Sequence, residues 1–162
     1  MSLVEKKINT LIGTIYIVAS ETGLKSVGWE KSKNLAKHTS TLKDQPKSVQ
    51  ELLLETEKQL NEFFSGTRKT FDLPLDPEGT LFQKKVWKQL SRIPFGTTKS
   101  YKDIATAINN AKAYRAVGSA NGKNPICIII PCHRVIAADG SIGGYSGGLH
   151  YKKKLLKMEA SK

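Results

Sequence analysis

Between Pro125 and Pro131 the chain packs four isoleucines around a single cysteine, Cys127, and it then presents Cys132, His133, Arg134 and Val135 in immediate succession. A β-branched run of this kind has to be buried, and its composition predicts a short strand-like segment closed by the second proline. The polar residues that follow therefore lie at the edge of a core, where access of water to a side chain can be controlled. A reactive thiol suits such a position.

The chemistry of a nucleophilic cysteine needs the thiolate, which a free thiol offers only as a minor fraction near neutral pH unless a base or a positive charge assists. His133 and Arg134 are the nearest candidates. Successive side chains of an extended segment point to opposite faces, so His133 reaches Cys132 only if the chain turns there or through one bridging water. On the dipeptide alone, a buried structural cysteine beside a surface histidine remains an open alternative. A zinc reading of Cys127, Cys132 and His133 lacks a fourth ligand and the paired spacing of tetrahedral sites.

Charge divides the chain sharply. Residues 1–79 carry 11 basic and 11 acidic side chains, whereas residues 80–162 carry 15 basic and 3 acidic, so the whole net charge of +12 falls in the half that holds the cysteine run. Such one-sidedness favours a polyanionic partner through counterion release, with a merely solubilising surface as the alternative. Two cysteines are too few for a disulfide framework and suit a reducing compartment. No apolar run approaches membrane-spanning length and no signal-like start is present, so the expectation is a soluble protein of the cell interior without a membrane role.

Taken in order, Val4–Ile8, Leu11–Ala19 and Leu24–Trp29 predict a small antiparallel meander, broken at Asn9-Thr10 and at Glu21-Thr22-Gly23. A polar stretch follows, with a short helix expected around Asn34–His38 and His38 at the surface. From Pro46 the pattern turns helical, with Val49, Leu52, Leu53, Leu60, Phe63 and Phe64 on one face and Gly66 as its stop. Phe71–Gly79 reads as a last short strand plus a linker.

Beyond the linker, Thr80 and Gln83 have the form of a capping box, with Phe82, Val86, Leu90 and Ile93 at helical spacing behind it. Ser100 and Asp103 suit the start of a second helix, and a third is expected over Ala113–Ala120 with Asn121-Gly122 as its stop. The third helix is built of small residues around Arg115 and has little for reading base edges in a major groove. It fits sequence-independent contact with a narrow groove, or tight packing in a core. Gly143–Gly148 forms a glycine-rich loop without the Lys-Ser/Thr ending of a phosphate-cradling loop. In a final amphipathic helix, Tyr151, Leu155 and Met158 mark the apolar face, and Glu159 lies four residues from Leu155 on that side, which allows it to point inward, with the commoner surface carboxylate as the alternative.

Pro131-Cys132-His133-Arg134-Val135, preceded by Asn124-Pro125 and followed by Gly144-Tyr145-Ser146-Gly147-Gly148, resembles the active-site signature of the O6-alkylguanine-DNA alkyltransferases. The likeness extends upstream through Tyr114–Gly118, Ser100-Tyr101 and Ile93–Gly96, and downstream to Glu159; before Thr80 no motif speaks. The resemblance implies an α/β fold class in two parts, a small N-terminal ribonuclease H-like α/β domain over residues 1–79 and a mostly helical, winged helix-turn-helix-like C-terminal domain over residues 80–162. It implies DNA repair by one-step transfer of an alkyl group from O6 of guanine, and from O4 of thymine as a further substrate, to Cys132. The displacement needs no cofactor and no metal, and the thioether has no easy exit, so each molecule acts once.

Roles follow position by position from that resemblance. Cys132 is the nucleophile, His133 its base through water, Glu159 the group that orients His133, and Asn124 the holder of the active-site turn. Tyr101 donates to the leaving base, Arg115 fills the vacated stack, and Ala116, Ser119 and Ala120 line the DNA. Val135, Tyr145, Ser146 and Gly147 border the substrate pocket. The implied partner is double-stranded DNA bearing O6-alkylguanine, bound by a monomer through the minor groove with the base flipped out, in the cytoplasm or, in a eukaryote, the nucleus. Cys127 stands where some relatives have proline, and the N-terminal half has no cysteine for the zinc site that some relatives carry there. A non-catalytic lesion binder of the alkyltransferase-like type is the alternative, although such proteins replace the nucleophilic cysteine; a thiol hydrolase would leave the basic half unexplained.

Overall fold

The computed structural model describes residues 3–31 and 42–161, and the expected helix at Asn34–His38 lies outside them. Two compact units divide at Glu78 and Gly79. In the first, β1 (Val4–Thr10), β2 (Gly13–Ser20) and β3 (Gly23–Gly28) form an antiparallel sheet in the order β1-β2-β3, with Ile8 opposite Ile15 and Ile17 opposite Val27. Helix α1 (Lys47–Ser65) covers it, burying Val49, Leu53, Leu60, Phe63 and Phe64. Gly66 ends the helix at φ 87°, the left-handed conformation that glycine adopts without a Cβ clash.

The strand expected over Phe71–Gly79 reduces to one parallel bridge between Leu24 and Leu75. Two backbone bonds make it, Leu24 N to Pro74 O at 2.9 Å and Asp76 N to Leu24 O at 2.8 Å. The prolines at 74 and 77 remove the donors a longer ladder would need.

The second unit begins with α2 (Leu81–Leu90), where Thr80 Oγ1 accepts from Gln83 N and the Gln83 side chain accepts from Thr80 N. The same reciprocal cap joins Ser100 and Asp103 at the start of α3 (Tyr101–Ala107), just after the two-residue strand β4 (Lys99–Ser100). Helix α4 spans Tyr114–Gly122, so Asn121 and Gly122 do not stop it. Asn121 is buried and its side-chain amide donates to Cys132 O at 3.4 Å, a tertiary anchor that overrides its weak helix preference. Strand β5 (Val135–Ile136) pairs in parallel with β4, and α5 (Leu149–Ala160) closes the chain. Among the described residues no helix is long and apolar enough to cross a membrane.

Candidate active site

The run from Asn124 to Pro131 folds as consecutive tight turns, not as the expected strand. Ile130 N donates to Ile126 O at 3.0 Å, Ile129 N to Cys127 O at 2.8 Å and Cys132 N to Ile130 O at 2.8 Å. The Asn124 side chain closes the turn from within, accepting from Ile126 N at 3.0 Å and donating to Ile130 O at 2.8 Å. Apolar runs report burial but not backbone geometry, and an asparagine that satisfies the backbone internally removes the need for a neighbouring strand. Ile128 is held at φ 75°, a conformation that costs a β-branched residue on the order of 1–3 kcal/mol. Its side chain is 1% exposed, and burial of an isoleucine contributes about 1.5–3 kcal/mol, enough to offset that strain.

Cys132, His133 and Arg134 then form one 3-10 turn, all three buried. His133 is wholly enclosed, and its Nε2 lies 2.5 Å from Glu159 Oε2. Glu159 also accepts from Arg134 Nε at 2.7 Å, from Arg134 Nη2 at 3.2 Å and from Gly96 N at 3.2 Å. Burial pulls the Glu159 carboxyl upward, but the bonds from His133 and Arg134 outweigh it and hold its pKa at about 2. Burial lowers the pKa of His133, against the opposing pull of Glu159, so the imidazole is neutral at pH 7. A carboxylate only accepts, so the single ring proton sits on Nε2 and Nδ1 keeps its lone pair. Nδ1 is buried and has no hydrogen-bond partner among the described residues.

Arg134 was one of the two groups expected to assist the thiol, and the structure corrects this. Its guanidinium is committed to Glu159 and, at 2.7 Å, to the carbonyl of Ile93. The cation near Cys132 is Lys152, which the sequence pattern alone had not singled out. Lys152 is fully buried in α5, and its Nζ donates to Val135 O at 2.7 Å and to Gly144 O at 3.0 Å. Burial depresses it to a pKa of about 8. Its spacing of three and seven residues from Leu155 and Glu159 places it on the inward face and was the available signal.

The Cys132 thiol is 2% exposed and its pKa is lowered, first by a hydrogen bond from Cys127, then by Asn124 and the Lys152 charge acting against burial. Burial foremost, and then the neighbouring thiols of Cys127 and Cys132, push the Tyr145 pKa far up, so its hydroxyl stays protonated. Tyr101 is half-buried at the start of α3. Its ring would make only an ordinary contact, at 3.7 Å, with a Cβ on Gly118, but its hydroxyl lies 2.8 Å from where a Cβ on Gly143 would stand, so the glycine at 143 is the one its approach requires. Ser146 is exposed, Gly147 is partly exposed, and Val135 is enclosed completely within the core.

On α4, Arg115, Ala116 and Ser119 share an exposed face, whereas Ala120 is 2% exposed. Ala120 was expected to line DNA; the structure instead turns it inward, where its carbonyl accepts from Trp87 Nε1 at 2.8 Å. Arg115 and Lys102 flank the Tyr114 ring at 5.9 and 5.5 Å, which makes a cationic surface with an aromatic centre.

Residues 3–77 match the family model for the 6-O-methylguanine DNA methyltransferase ribonuclease-like domain, and residues 81–161 match that for its DNA binding domain. The chain belongs to the O6-methylguanine DNA methyltransferase family. It is 47% identical over 152 residues to a methylated-DNA–protein-cysteine methyltransferase of Methanosarcina barkeri, covering 94% of each chain. A crystal structure of a Mycobacterium tuberculosis O6-methylguanine methyltransferase variant superposes with a TM-score of 0.84 at 39% identity, over 98% of this chain and 93% of that one. The Mycobacterium tuberculosis protein OGT in complex with DNA gives a TM-score of 0.83 at 39% identity, over 97% and 92%. The methyltransferase assignment covers both units, and the Cys132, His133 and Glu159 cluster falls within the segment matched by the DNA binding domain.

Proposed function

We propose that this protein repairs DNA by taking the alkyl group from O6 of guanine onto Cys132 Sγ, once per molecule. One observation carries the reading: a buried thiol whose pKa is lowered opens the same turn in which burial keeps His133 neutral and Glu159 fixes its ring. His133 Nδ1 takes the thiol proton through an intervening water, and the resulting imidazolium is stabilised by the Glu159 carboxylate. The thiolate attacks the alkyl carbon, the S–C bond forms as the C–O6 bond breaks, and the electron pair passes to the guanine ring. Tyr101 donates its hydroxyl proton to a ring nitrogen as that charge builds, while Ser146 and neighbouring amides receive O6. The thioether formed is stable to water, which makes the transfer final.

DNA is the partner, and the O6 carbon of a paired guanine is out of reach until the nucleotide leaves the stack. The small side chains of Ala116 and Ser119 on the exposed face of α4 suit a minor groove, and Arg115 beside them fills the gap left by the flipped base. With 15 basic against 3 acidic residues from 80 to 162, affinity rests on phosphates rather than on sequence. The protein acts as a monomer in the cytoplasm, or in the nucleus of a eukaryote, and O4-alkylthymine is a further substrate.

Intact-mass measurement after incubation with O6-methylguanine duplex tests the reading. One methyl on Cys132, a repair plateau of one lesion per active molecule and a silent Cys132→Ala variant are expected. Retained binding with no adduct would identify a lesion-binding protein instead, and repeated turnover would exclude a terminal thioether.

A further inference from the structure

The turn that presents Cys132 also carries a second thiol, Cys127, which takes no alkyl group itself. Cys127 and Cys132 are both free and buried, at 6% and 2% exposure, and each thiol is the foremost cause of the shift in the other's pKa. The backbone imposes this meeting of residues five apart. Ile130 N to Ile126 O and Ile129 N to Cys127 O fold the run back, and Ile128 adopts its left-handed φ of 75° between the two cysteines. Cys127 Sγ is otherwise anchored at 3.9 Å from Asn124 O, and Tyr145 lies near both sulfurs. The environment makes the two sulfurs unlike. Their interaction lowers Cys132 and raises Cys127; the charge of Lys152 helps to lower Cys132, and burial helps to raise Cys127.

We propose that Cys127 is a resolving thiol that closes a reversible disulfide with Cys132 when the protein meets a hydroperoxide. In the first step the Cys132 thiolate attacks one peroxide oxygen, the S–O bond forms, the O–O bond breaks, and hydroxide leaves with the electron pair. In the second, Cys127 sulfur attacks the sulfenic sulfur of Cys132. The S–S bond forms, and the sulfenic oxygen departs as water with the Cys127 proton. The two sulfurs are thereby oxidised by the two electrons that the peroxide accepts.

Oxidation of an isolated thiolate beyond the sulfenic stage cannot be undone by thiols, whereas a disulfide can. For a single-use acceptor this distinction decides whether an unreacted molecule survives oxidation. A bond spanning so short a turn closes a small, strained ring, the type that thiol reductants open readily. A molecule already alkylated on Cys132 has no thiolate to oxidise and lies outside the cycle. The chemistry is read on the thiols alone, so its outcome is independent of whether guanine alkyl groups are the substrate.

The experiment exposes the full-length protein to hydrogen peroxide, quenches it, and measures the intact mass and the mass of the peptide spanning residues 124–134 without reduction. Wild type is expected to lose two hydrogen atoms in that peptide, to lose both thiols to iodoacetamide labelling, and to regain both with dithiothreitol. Under the same prolonged exposure Cys127→Ala is expected to gain oxygen on Cys132 and to keep it after dithiothreitol. Oxygen addition without hydrogen loss in wild type, a disulfide linking two molecules, or equal recovery of Cys132 in wild type and variant would each overturn the proposal. Should Cys127→Ala fail to fold, the wild-type masses still decide.

Discussion

Residues 1–78 and 79–162 differ most in what they bury. The first unit encloses uncharged polar groups such as Gln59, whose amide accepts from Asp72 N at 2.9 Å and donates to Asp72 O at 3.1 Å. Its ion pairs are partly exposed, as where Lys25 meets Asp76 at 2.7 Å with the carboxylate 39% accessible. The second unit encloses His133, Arg134, Lys152 and Glu159. A buried charge is costly unless it is paired and hydrogen-bonded, and each of these four is engaged at one or more atoms. The contrast teaches where chemistry resides. The unit with a balanced surface uses its polar groups to hold a fold, whereas the cationic unit accepts the desolvation of charges around the turn that carries Cys132.

Removing one member from each kind of pair gives the largest separation. Glu159→Gln leaves Arg134 buried without its counter-charge and is expected to lower stability by about 3–5 kcal/mol, whereas Asp76→Asn should lower it by less than about 1 kcal/mol. Urea unfolding of both variants reads this directly, and equal losses would erase the contrast. The pH dependence has a definite sign. Glu159 falls from an ordinary 4.5 to about 2 in the folded protein, so its contribution is full above pH 4.5 and is lost as pH falls toward about 2. In Glu159→Gln that acid-side loss should shrink.

Next in size is the effect of Arg115 on the exposed face of α4. Flipping a base costs a few kcal/mol where a stack exists and least where none does. Arg115→Ala is therefore expected to slow single-turnover transfer about tenfold or more on duplex DNA while leaving saturating single-stranded substrate nearly unaffected. Equal slowing on both would reduce Arg115 to a phosphate contact or a packing residue.

A smaller shift is expected at Lys152. Lys152→Met removes the cation beside Cys132, so the pH midpoint of iodoacetamide reaction at Cys132 should rise by up to about one unit. Because Lys152 itself loses its proton near pH 8, wild type and variant should converge above that value. An unchanged midpoint would leave Cys127 and Asn124 as the groups that hold the thiol down.

The smallest effect separates the two surfaces. Lys102→Gln should lower the slope of log K against log salt for duplex binding by about 0.9, the share of one phosphate contact, and Lys58→Gln in the first unit should leave it unchanged. Identical slopes for the two variants would disconnect the charge asymmetry from DNA.

Local chemistry was legible in the sequence wherever a few neighbouring residues satisfy one another. Both capping boxes, the meander of β1 to β3, the amphipathic face of α1 with its Gly66 stop, and the inward Glu159 all depend on spacings of two to four residues. The charge division and the string around Cys132 likewise need no coordinates. Tertiary structure decided the rest, because those groups find their partners far along the chain. The isoleucine run became a turn when Asn124 satisfied its backbone; α4 ran on through Asn121, which reaches Cys132 O. Arg134 turned to Glu159, 25 residues away, and Lys152 reached Val135 O, 17 residues away. Periodicity determines which side chains are buried. Only the assembled unit determines which buried charge meets which partner, and that pairing fixes the tautomer of His133 and brings the Lys152 charge to bear on Cys132.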